Sequence, residues 1–140
     1  MDENWLQIRE YEEEGFKPLI FFEGWRVCIL RYLDELRSNN IHKVERHTET
    51  DEVFVLLKGK GVLIIGGNNP RVDDISPQVM EQGKLYNVRQ NTWHTILLSR
   101  DASVLIVENP DTGEQNSEFH SLSEDSRSQI LEAAKQNGID

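Results

Sequence analysis

Two histidines and two glutamates in this chain have the types and spacing to hold a cation or move a proton. His47 and Glu49 stand two residues apart in Arg46-His47-Thr48-Glu49-Thr50-Asp51-Glu52. Glu52 heads the apolar run Val53-Phe54-Val55-Leu56-Leu57, and His94 heads Thr95-Ile96-Leu97-Leu98. Neutral imidazole nitrogen together with carboxylate oxygen suits divalent transition metals such as Zn, Fe, Mn or Ni. Side chains at i and i+2 share one face of a strand, so His47 and Glu49 face the same way if their strand extends that far. His94 shares a face with Ile96 and Leu98 and points inward if that face is core.

Positioning these groups requires strands. From Pro18 to Glu108 the chain alternates short apolar segments with turn chemistry, the rhythm of an all-β domain. Strands are predicted at 19–22, 25–32, 41–47, 52–57, 61–65, 78–81, 85–88, 94–98 and 104–108. The breaks include Glu23-Gly24, Lys58-Gly59-Lys60, Gly66-Gly67-Asn68-Asn69-Pro70 and Gln82-Gly83. Connections this short admit no crossover helices, so the strands pair mostly antiparallel and close into a barrel or a two-sheet sandwich. Residues 3–14 are predicted helical, as are Glu124–Gln136 after Ser121 or Ser123, with a polar loop over 109–123. The expected organisation is an arm over 1–17, a barrel over 18–108, and a loop with a C-terminal helix over 109–140.

Composition bounds the partners. The formal net charge is −10 over 140 residues, and most of it sits at the ends: residues 1–14 hold six acids and one base, residues 108–140 eight acids and two bases. That distribution argues against nucleic acid, which needs clustered positive charge. The single cysteine, Cys28, lies in an apolar run and is expected to be a buried, inert thiol in a reducing compartment. No apolar run approaches the roughly 18 residues of a membrane helix, and Met1-Asp2-Glu3-Asn4 resembles no targeting signal. A cytoplasmic protein with no membrane partner is the expectation.

Other conspicuous residues have plainer roles. Asp51 is expected to serve its turn through backbone N–H groups. Lys58-Gly59-Lys60-Gly61 lacks the spacing of a phosphate-cradling loop and reads as a hairpin turn. Asp73-Asp74 reads as a solvated pair, Glu12-Glu13-Glu14 as a solvated helix face, and Trp25 and Phe54 as core. Trp93 should face away from His94, and His120 should be exposed. Serine- or cysteine-based nucleophilic catalysis has no footprint here.

In motif order, spacing and strand rhythm the chain resembles the small single-domain cupins over roughly residues 41–107. Glu52, six further residues and Gly59 match the end of the first cupin motif; Gly83, ten further residues and His94 match the frame of the second. The resemblance implies a jelly-roll barrel, a divalent metal held by histidines and a glutamate, and a homodimer. The first motif departs from its usual His-x-His form: it reads His47-x-Glu49, and alignment on Glu52 without a gap puts Arg46 and Thr48 at the histidine positions. In the second motif Arg89, Asn91 and Leu98 stand where Pro, Gly and Asn are usual.

Two arrangements remain open. In one, a hairpin shortened by a residue lets His47, Glu49, Glu52 and His94 converge on a metal beside a small polar substrate, as in a dioxygenase, isomerase or lyase. In the other, His47 faces outward, because a one-residue slip turns a strand over. Glu52 and His94 then serve a metal-free module that binds a small polar molecule. A third outcome is an assembly-forming barrel whose pocket is filled by its own side chains.

Overall fold

The computed structural model describes residues 1–140. Ten strands form two five-stranded antiparallel sheets. The first runs in the order β1 (Gly15–Phe22), β2 (Trp25–Arg31), β9 (Ser103–Glu108), β4 (Glu52–Lys58), β7 (Leu85–Val88). The second runs β10 (Ser117–Ser121), β3 (Lys43–His47), β8 (His94–Leu98), β5 (Gly61–Ile65), β6 (Ser76–Val79). Apart from the β1–β2 and β5–β6 hairpins, successive strands cross from sheet to sheet, as a jelly roll requires, and their alternating side chains meet between the layers.

That meeting is the core. Cys28, Leu30, Phe54, Leu56, Ile96 and Ile106 are among the buried side chains packed between the sheets. Burial pushes the Cys28 thiol up to about 12, which makes it the inert cysteine the sequence implied. A second cluster lies on the other side of β5 and β8, where Val62, Ile64 and Leu97 pack under helix α1 (Glu124–Gln136) through Ile130, Ala133 and Ala134. The Ser123 hydroxyl accepts from the Ser126 amide and caps the helix. Residues 61–64 are therefore buried on both faces.

Several sequence expectations need correction. Residues 3–14 form no helix: apart from a turn over residues 3–5 they run without regular structure, and Trp5 and Ile8 are exposed. A short helix needs an apolar stripe packed against something, and this one has nothing beneath it. The polar segment 109–123 contains a tenth strand, β10, whose edge pairing with β3 lets polar residues face solvent. Lys58–Gly61 is a corner between the two sheets and not a hairpin, since β4 and β5 belong to different layers. Trp25 lies at the sheet margin, 43% exposed and tilted against Phe22, while Phe54 is core as expected. His120 is half-buried, edge-on to the Trp93 ring.

Candidate metal and ligand site

The ends of four strands build the site. His47 closes β3, Glu52 opens β4, His94 opens β8 and Glu108 closes β9. Antiparallel pairing explains why they meet. Glu45 lies opposite His94, Val53 lies opposite Val107, and Arg26 lies opposite Glu108. The inward set of β9 is Val104, Ile106 and Glu108, so its final inward position is a carboxylate. β2 adds Arg26 in register with it.

All four groups are buried, with His94 at 3% exposure and Glu52 at 6%. His47 Nε2 lies 3.1 Å and His94 Nε2 2.9 Å from the same Glu52 oxygen, Oε1. The far ring nitrogens are held too: His94 Nδ1 is 2.9 Å from the Thr92 carbonyl oxygen, and His47 Nδ1 is 2.8 Å from Ser117 Oγ. A carbonyl only accepts, so His94 Nδ1 carries the hydrogen. In the neutral ring Nε2 is then a bare lone pair facing a carboxylate oxygen, and a proton or a cation has to lie between them.

The electrostatics follow from that crowding. Burial opposes charge on His94, but the hydrogen bond and charge of Glu52 outweigh it and hold the imidazole above its ordinary value. Burial likewise opposes ionisation of Glu52, yet the hydrogen bonds of His47 and His94 hold it well below the carboxylate range. Glu108 moves the other way, raised by burial and by the neighbouring Glu52, with Arg26 offsetting only part. Arg26 Nε donates to Glu108 Oε2 at 3.0 Å, and its Nη2 donates to the Thr112 carbonyl at 2.9 Å.

The structure brings together His47, Glu52 and His94 and leaves Glu49 outside. β3 ends at His47, so the i+2 argument does not reach Glu49. Its exposed carboxylate accepts from Asn116, and its carbonyl accepts from Asn109. His47 faces inward and not outward. Asp51 bonds across to the loop after β7, accepting from the Gln90 amide and from Asn87. Trp93 faces away from the site, with Arg46 stacked 4.3 Å above its ring.

Sequence reasoning missed Glu45, Glu108 and Arg26. The signal for Glu108 was present in the alternation Val104, Ile106, Glu108; the signal for Glu45 was its position two residues before His47. Two sets of donor atoms lie within 4.8 Å of one another: Glu45, His47 and His94, and His47, Glu52 and Glu108. Imidazole and carboxylate donors, with the far nitrogen of each ring already hydrogen-bonded, fit a first-row divalent ion.

These groups face a cavity of about 900 Å3 between the sheets. Apolar side chains, among them Leu30, Leu33, Leu36 and Phe54, line much of the wall away from them. Thr112, Gly113 and Glu114 bring the loop after β9 to its edge.

Two stacked antiparallel sheets with a histidine and carboxylate cluster at one end of their apolar interior define the class: the chain folds as a small cupin-like β-barrel. A cupin-2 domain protein from Shewanella frigidimarina superposes with a TM-score of 0.52 at 13% identity, over 71% of this chain and 84% of that one. A nucleoside dehydratase from Streptomyces gives 0.54 at 13% identity over 83% and 87%. A TDP-fucose-3,4-ketoisomerase from Campylobacter jejuni gives 0.52 at 16% over 69% and 68%. No protein-family model matches the chain, and no curated protein does. At these identities the likeness is one of fold. No helix is long and apolar enough to cross a membrane.

Proposed function

We propose that this barrel is a metal-dependent enzyme of small-molecule metabolism, with His47, Glu52 and His94 holding a divalent transition metal beside a small polar substrate. One observation carries the proposal: the hydrogen bond from His94 Nδ1 to the Thr92 carbonyl turns the Nε2 lone pair onto Glu52 Oε1, beside His47 Nε2. When bound, such an ion supplies Lewis acidity to an oxygen-bearing substrate. The chain's own residues do the rest. Ser117 and Thr92 fix the two rings, and Glu45 and Glu108 offer further oxygens at the edge of the set. Arg26 holds Glu108 and the loop after β9, while the apolar wall keeps bulk water from the buried groups.

A metal-free binding module is the alternative. It draws on the same hydrogen bonds, which close without a metal when His94 is protonated. Elemental analysis of protein purified without chelator decides between them. The expected result is close to one zinc, iron, manganese or nickel per chain, lost in His94→Ala while the far-UV circular dichroism stays unchanged. A blank that persists after incubation with each ion would leave the metal-free module.

We further propose a homodimer. The outward side chains of the first sheet form two rows, Ile20-Val27-Val107-Val53 and Ile29-Leu105-Val55-Leu85, and no element of the chain covers them. Five strands of about six residues present roughly 500 Å2, and Trp5, Leu6 and Ile8 on the exposed arm extend this toward the roughly 800 Å2 per partner of a stable interface. A second copy is the occupant that meets both needs at once, because it brings the same apolar rows, ended by Lys17 on one and Asn87 on the other, and the same unpacked arm. The inert thiol suits a cytoplasmic setting.

A further inference from the structure

Charge around the cavity restricts its ligand, on the reading that the cavity beside His47 and His94 is the binding site. Six carboxylates line it: Asp34, Glu35, Glu45, Glu52, Glu108 and Glu114. Only two permanent cations do, and the inner one, Arg26, is already committed. Arg26 donates to Glu108, to the Pro110 carbonyl at 3.3 Å and to the Thr112 carbonyl at 2.9 Å. Lys43 sits at the mouth with Nζ 4.7 Å from the centre of the Phe119 ring. Asp34, Glu35 and Glu114 have no ion pair, and Glu45 has only His47 at 3.9 Å. With Glu108 counted as protonated, as its raised value implies, a dication on the histidines still leaves five negative charges against four positive ones on this wall.

Carboxylates only accept hydrogen bonds, so the wall asks its ligand for donors. The rest of the lining, with Leu30, Leu33, Leu36, Phe54, Ile96 and Ile106, asks for an apolar face. We infer that the cavity takes an uncharged, hydroxyl-rich metabolite with one apolar face and rejects its phosphorylated or carboxylated forms. The rejection arises from the field of the acids and from the commitment of Arg26 to Glu108 and the loop carbonyls. Close to the wall, where the dielectric is well below that of water, one uncompensated carboxylate weakens an anion by about tenfold.

The test is a matched panel: glucose, ribose, myo-inositol and uridine, each beside its own phosphate monoester, titrated by calorimetry into zinc-loaded and metal-free protein. At least one uncharged member should bind, and should bind at least about tenfold more tightly than its phosphate ester. The double variant E35K/E114K should narrow that gap severalfold, read as the ratio of the two affinities. A phosphate ester binding as tightly as its parent, no uncharged member binding, or a gap unmoved by E35K/E114K would overturn the inference. His94→Ala separates the two levels. If it abolishes the binding of a favoured phosphate ester, the site stands and the charge rule fails. If binding of the uncharged member survives it unchanged, the site itself lies elsewhere.

Discussion

Asp51 is not a ligand, yet it ties the site's two loops together. Its carboxylate accepts from Asn87 and from the Gln90 amide and lies 3.3 Å from Arg89 Nε. Those two hydrogen bonds hold it below its ordinary value of 3.8. A carboxyl with a depressed folded value stabilises the protein above its unfolded value and loses that contribution as pH falls through the folded one. Asp51→Ala should therefore lower the melting temperature at pH 7, and the difference from wild type should shrink as pH is taken below about 3.8 in thermal melts. A pH-independent difference would assign its role to packing. At this scale the placement of Glu52 and His94 was legible because each heads an apolar run, whereas His47 closes the polar strand β3 and its direction was left open. The sequence hid Arg26, whose meaning depends on a pairing between β2 and β9 more than 80 residues apart in the chain.

The corner between β4 and β5 shows how elements constrain the site. Gly59 has φ +75°, and a Cβ there would lie 2.7 Å from Ala102 Cα and 2.8 Å from Ser99 Oγ. Gly59→Ala adds a left-handed backbone penalty to a clash with backbone and should cost about 2 kcal/mol or more, read as a lowered urea midpoint. A neutral result would show that the corner relaxes. Eight of the ten strands both begin and end within three residues of their predicted bounds, because period-two alternation marks strands whose two faces differ. β10 escaped because it is a polar edge strand with no such contrast, and its partner β3 supplies its order. The arm misled in the opposite way: Trp5 and Ile8 carry helical spacing, but no surface of their own chain receives them.

Across the whole molecule, cover is one-sided. Helix α1 protects the second sheet, and nothing in the chain protects the first. Sedimentation equilibrium at micromolar concentration should give twice the chain's 16.3 kDa, and Val55→Lys should return a folded monomer. Removal of residues 1–14 should weaken association by at least about tenfold, since it strips three large apolar side chains from the interface. A wild-type monomer at every concentration would assign the bare face to another partner and remove the homodimer. Near the cavity a single side chain joins two tasks. Arg26 is at once the counter-ion of Glu108 and the clasp on the carbonyls of Pro110 and Thr112. Replacing Arg26 would thus strip a buried acid of its neutraliser and unfasten the loop at the doorway together, so one substitution alters the interior charge and the rim at once.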